Sequence, residues 1–93
     1  MIEHAKEISN LLKAISNEHR LLILCALLDN ELSVNEIHNL VDDISQPAIS
    51  QHLNYLMKHD CIKFRKDGQR VLYSLKDERL KTLFKTIKSE YCK

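Results

Sequence analysis

Apolar residues in the first segment fall at Ile8, Leu11, Leu12 and Ile15, the i, i+3, i+4, i+7 spacing of one helix face, and the stripe stops before Ser16. Asn17 suits the cap of a second helix. Its run LLILCALL, residues 21–28, is apolar on every side and predicts a helix in the middle of the fold. Cys25, set among Leu22, Leu24 and Leu28, is expected to be buried there, and burial raises a thiol's pKa. A turn over Asp29 to Leu32 leads to Ser33-Val34-Asn35-Glu36, the S-x-x-E spacing whose side chains satisfy free amides at a helix start. A short third helix follows through Ile37, Leu40 and Val41.

After Asp42 and Asp43, Ser45 is a good cap, and Pro47 fits a first helical turn, where a missing amide hydrogen costs nothing. The fourth helix runs to about Lys58. Ile49, Leu53, Leu56 and Met57 form its inward face, which turns Gln46, Ser50, Gln51 and Asn54 outward. Two alternating runs from Ile62 to Leu75 are joined at Asp67-Gly68, the signature of a tight β-hairpin. Asp77 can cap a last helix marked by Leu80, Leu83, Phe84, Ile87 and Tyr91. The expected class is therefore mainly α with a small β-hairpin: five helices and a two-stranded wing, a winged helix-turn-helix occupying residues 1–93 as one domain.

Length supports one domain, because 93 residues with a lone Gly68 and a lone Pro47 leave no flexible linker. So short a chain gains from extra burial in a dimer. No apolar run is long enough to span a bilayer and no signal-peptide core is present, so a cytoplasmic location without membrane contact is expected. Three cysteines without a CxxC argue against a disulfide framework and a thioredoxin-type enzyme. No Gly-rich phosphate loop, nucleophile elbow or catalytic carboxylate pair points to an enzyme.

Charge changes the picture more than composition does. The net charge of +1 hides three Lys/Arg against eight Asp/Glu in residues 1–43 and six against two in residues 44–76. The basic middle coincides with the fourth helix and the hairpin. A helix bearing Gln and Ser fits the major groove, where glutamine pairs with an adenine edge, and a basic hairpin can follow the adjacent backbone. Candidate DNA contacts are Gln46, Ser50, Gln51 and Asn54 on the helix, with Lys63, Arg65, Lys66, Gln69 and Arg70 on the wing. The phosphate contacts among them would make affinity steeply salt-dependent. A winged helix serving as a protein-interaction module is the competing reading.

LLKAISNEHRLLILCALL, SQPAISQHLNYLMKHDCI and RKDGQRVLYSL resemble the second helix, recognition helix and wing of the ArsR/SmtB winged-helix repressors. LLILCALLDNELSV and the terminal Tyr91-Cys92 are most similar to a thiol-switch branch of that family. The resemblance implies a homodimer built by the first and last helices, an imperfectly palindromic double-stranded operator, and repression relieved by an inducer. Some positions depart from the pattern. Pro47 stands where many members carry Ser or Thr, Cys61 where glycine is usual, His19 before the second helix's arginine is atypical, and the turn Val41 to Ile44 is one residue longer.

Metal is the family's commonest inducer, yet Ser33 and Asn35 occupy the positions where soft-metal sensors carry cysteines, and the last helix has no histidine. His4, His19, His38, His52 and His59 show no helical ligand spacing, so no metal ligand or cofactor is assigned, and a metal-responsive repressor is the alternative. The branch resemblance implies a redox switch at Cys25 and Cys92, acted on by oxidants or reactive sulfur species. The raised pKa expected of Cys25 makes it the slower nucleophile, so Cys92 is expected to be the attacking thiol. Cys61 is read as a small residue between helix and strand.

Overall fold

The structure, a computed structural model, describes residues 2–92. After a 3-10 turn at Ile2–His4 come α1 (Ala5–Ile15), α2 (Glu18–Ala26), α3 (Val34–Leu40), α4 (Gln46–Lys58), β1 (Ile62–Asp67), β2 (Arg70–Leu75) and α5 (Glu78–Tyr91). This is the winged helix-turn-helix expected from the sequence.

The starts of α2, α3, α4 and α5 are each set by a local side chain. Asn17 accepts hydrogen bonds from the amides of His19 and Arg20 at 3.0 and 3.1 Å, and Ser33 and Glu36 complete the reciprocal cap of α3. The Ser45 hydroxyl accepts from the Ala48 amide, and Asp77 from that of Arg79. These bonds satisfy amides that the first helical turn leaves free. At the other end of α4, Asp60 adopts φ 59°. Its amide donates to Met57 O and that of Cys61 to Leu56 O, the paired bonds of a left-handed helix stop that glycine usually fills.

Ile23 and Leu24 of α2, Ile37 of α3, Ile49, Leu53 and Leu56 of α4, and Leu80 and Phe84 of α5 meet in one core, closed by Cys61, Ile62 and Leu75 at the hairpin base. Arg20 fastens α1, α2 and α4 together. Its Nε donates to Ala14 O at 2.7 Å, and its guanidinium lies 4.2 Å from the centre of the Tyr55 ring.

The octet 21–28 is less central than its composition suggests. Ile23, Leu24 and Leu27 are buried, but Leu22 is 45% exposed and Cys25 also lies at the surface of the protomer. Leu12 and Tyr91 are exposed as well, so α1, α2 and α5 each present apolar area to solvent. A helix apolar on every side fits here because one side faces outside the protomer.

The hairpin pairs Ile62 with Leu75 at its base and Asp67 with Arg70 at its tip, so the loop is Gly68-Gln69, one residue beyond the Asp67-Gly68 step expected. Gly68, at φ 65°, takes the first central position, where a tight turn of this length needs positive φ. Leu32, expected in a turn, forms a bridge to Tyr73: its amide donates to Tyr73 O at 3.0 Å and its carbonyl accepts from Tyr73 N at 2.8 Å.

Candidate nucleic-acid interface and thiol pair

Helix α4 exposes Gln46, Gln51 and Asn54 to solvent, and Ser50 is half-buried beside them. The helix carries no acidic residue in its first turn. Gln46 is already engaged, since its amide donates to Asn35 Oδ1 of α3. The turn between α3 and α4 is braced by the His38 ring, which donates from Nε2 to Ile44 O at 2.9 Å, and by His19 Nε2, 2.9 Å from Asp43 Oδ2.

His19 and His52, separated in the sequence and not expected as a pair, stack with ring centroids 6.0 Å apart. Partial burial, then the charge of Arg20 and of His19, holds the His52 imidazole below its ordinary pKa. His19 pulls the Asp43 carboxyl down through their hydrogen bond. No local spacing could have announced this cluster, because α2, α4 and the turn before α4 meet only in the folded chain.

On the wing, every side chain from Lys63 to Arg70 is exposed. Lys63 and Lys66 take part in no ion pair among the described residues. Arg65 and Arg70 are held differently. The Glu31 carboxylate receives Arg65 in a fork, with Nε at 2.9 and 3.1 Å and Nη2 at 2.9 Å. Glu36, besides capping α3, accepts Arg70 Nη2 at 2.7 Å. Both glutamates are consequently held below the ordinary carboxylate range, Glu31 chiefly by Arg65 and Glu36 chiefly by the Ser33 amide. Sequence reasoning assigned the wing charges and missed their partners, which lie 34 positions away in each case.

The two cysteines of the expected switch lie on α2 and at the end of α5. Cys25 and Cys92 are both exposed, and Cys92 caps the end of α5 through the hydrogen bond its amide donates to Lys88 O at 2.9 Å. Local desolvation pushes the Cys25 thiol up, the negative charge of an ionised Cys92 pushes it further, and Lys88 opposes both. The raised pKa thus has the direction expected, although full burial is not its origin. Lys88 also reaches Asp29, in the turn after α2, at 3.2 Å, tying α5 to that turn. Cys61 is buried and donates weakly from Sγ to His59 O at 3.7 Å. Among the described residues no group of three or more His, Cys, Asp or Glu is arranged to hold a metal ion, and no helix is long and apolar enough to cross a membrane.

A capped helix-turn-helix followed by a basic wing defines a DNA-binding regulator of the winged-helix class. Residues 17–63 match the family described as "Bacterial regulatory protein, arsR family", and the chain belongs to it. Transcriptional activator HlyU of Vibrio cholerae is 45% identical over 82 residues, spanning 88% of this chain and 75% of that protein. A structure described as reduced HlyU from the same species superimposes with a TM-score of 0.93 at 41% identity, covering 100% of this chain and 97% of that one. The transcriptional repressor BigR of Xylella fastidiosa gives 0.91 at 30% identity, over 100% and 94% of the two chains. The homodimeric winged helix-turn-helix domain of Mb0332 from Mycobacterium bovis gives 0.78 at 25% identity, over 90% and 77%. This chain is a transcriptional regulator of the ArsR family and not an enzyme.

Proposed function

We propose that the chain acts in the cytoplasm as a single winged-helix unit, in a homodimer whose grip on an imperfectly palindromic operator is controlled by sulfur chemistry at Cys25 and Cys92. The observation that carries this reading is the placement of two surface thiols, Cys25 on α2 and Cys92 at the end of α5, with Lys88 of α5 bound to Asp29 in the turn after α2. The apolar surface left open by Leu12, Leu22 and Tyr91 on α1, α2 and α5 supports pairing through those helices. The homodimeric Mb0332 domain is similar in fold.

In the DNA complex α4 lies in the major groove, with Gln51, Asn54 and Ser50 toward base edges and Gln46 at the helix start. The wing follows the backbone with Lys63, Lys66, Gln69 and Arg70, while Arg65 stays bound to Glu31. A dimer places two such helices one helical turn apart, about 34 Å, so a small rotation of one protomer on the other breaks the match to two half-sites. HlyU is described as an activator and BigR as a repressor. What the two descriptions share is occupancy of DNA, and the site bound decides its consequence for transcription.

The raised pKa of Cys25 assigns first attack to Cys92. Its thiolate attacks the terminal sulfur of a persulfide, the donor's remaining thiolate leaves, and Cys92 becomes a persulfide. Cys25 thiolate then attacks the inner sulfur of that group and expels hydrosulfide, leaving a disulfide. With a peroxide, the first product is a sulfenic acid, and the second step releases water. Either bridge joins α2 to α5, elements that contribute to the apolar surface assigned to the dimer. Intact mass and tandem mass spectrometry after polysulfide treatment test the assignment. A bridge between Cys25 and Cys92 within one chain is expected, and modification confined to Cys61 contradicts it.

A further inference from the structure

Beyond its base, the apolar anchors of the wing lie on β2 alone, where Leu72 is buried and Tyr73 packs against the core. The pair Ile62 and Leu75 is buried, whereas residues 63 to 70 all lie at the surface. A two-stranded hairpin of this kind is marginal on its own. Besides those side chains, the wing is attached to the helix-turn-helix by the Leu32 to Tyr73 bridge and, for β1 and the tip, by two ion pairs: Glu31 with Arg65 in mid-strand and Glu36 with Arg70 at the tip. Surface ion pairs are usually weak, but a bidentate fork and a carboxylate already fixed by a helix cap are favourable geometries.

We propose that Glu31 and Glu36 are positioning residues for DNA binding, which dock the wing on the helix-turn-helix and divide the roles of its two arginines. Arg65, with three hydrogen bonds to Glu31, is a strut and makes no phosphate contact. Arg70 is aimed by a single bond through Nη2, which leaves its other guanidinium edges available to a phosphate. The phosphate contacts of the wing then come from Lys63, Lys66 and Arg70. Glu36 links two functions, since the carboxylate that starts α3 also sets the wing tip. The inference rests on the DNA-binding reading above.

The test is affinity as a function of salt concentration for a labelled duplex that the wild-type protein selects from a random-sequence pool. Glu31→Gln, Arg65→Gln, Glu36→Gln and Arg70→Gln are measured alongside. A pool that yields no bound duplex overturns the DNA-binding reading itself, and the division of wing roles with it. With a bound duplex, Arg70→Gln is expected to flatten the slope of log affinity against log salt by about 0.9, the contribution of one phosphate. Arg65→Gln and the two glutamate variants are expected to weaken binding several-fold with the slope unchanged. Glutamine keeps the α3 cap in Glu36→Gln, and thermal melts of the same samples check folding. The reversed pair Glu31→Arg with Arg65→Glu is expected to recover affinity lost in either single change. A flatter slope in Arg65→Gln, or a steeper slope with tighter binding in Glu31→Gln, overturns the proposal, because Arg65 would then be a phosphate ligand that Glu31 masks. Failure of the reversed pair to recover affinity overturns it too.

Discussion

Bridging Cys25 and Cys92 within one chain is expected to stabilise the fold strongly, because the two residues lie 67 positions apart and enclose most of the chain. In the chain-entropy account, closing a loop of that length removes freedom from the unfolded state equivalent to about 4 kcal/mol at room temperature. Strain in the native state lowers that figure. The bridge joins the exposed side of α2 to the end of α5, where Cys92 caps the helix with one backbone hydrogen bond, so some of the gain is lost if that last turn must shift. A net stabilisation of about 2–4 kcal/mol is the expectation. The assay is urea denaturation of a Cys61→Ala chain, reduced and oxidised, at one protomer concentration, since dimer stability depends on concentration. Cys92→Ser supplies the control, and in it the oxidant should move the midpoint little. Equal midpoints for reduced and bridged protein, or covalent dimers in place of intramolecular bridges, would refute the reasoning.

Three further outcomes follow from named contacts. The rate at which iodoacetamide alkylates Cys25 should rise with pH around a midpoint above the ordinary thiol value of about 8.5. Cys92→Ser should lower that midpoint and Lys88→Met raise it, and no movement in either would mean that the three groups do not interact. His52 prefers its neutral form in the folded chain, so the unfolded chain binds the proton first. Its contribution to stability is complete above the unfolded pKa of about 6.5 and falls as pH drops through that value. Urea midpoints should therefore fall less on acidification in His52→Gln than in wild type, and equal losses would contradict the assignment. At Asp60, the left-handed φ makes a β-branched residue costly, so Asp60→Val should lose about 1–2 kcal/mol in denaturation while Asp60→Gly holds or gains stability. A Val variant as stable as wild type would show that the helix stop relaxes without strain.

Most of the scaffold was legible because its determinants are local. Asn17, the Ser33 and Glu36 pair, Ser45 and Asp77 each act within a few residues of where they stand, and the alternation from Ile62 to Leu75 carries its own pairing. Leu32 shows the limit, since its partner Tyr73 belongs to a strand that reaches it only through tertiary folding. The same holds for Glu31 with Arg65, Glu36 with Arg70, and His19 with His52 and Asp43. Composition misled at Leu22 and Cys25. An all-apolar run reads as buried within its own chain, and the reading cannot separate a core from an apolar face left for another molecule. The thiol positions came from family resemblance, and the fold adds their neighbours Lys88 and Asp29.

The central claim is that sulfur chemistry at these two thiols governs DNA occupancy. Fluorescence anisotropy at one fixed salt concentration measures it directly, with a labelled selected duplex, reduced protein, and protein treated with polysulfide, each sample checked by intact mass spectrometry. The account predicts a large loss of affinity that accompanies an intramolecular bridge between Cys25 and Cys92 and is reversed by reductant. Unchanged affinity in fully bridged protein would contradict it.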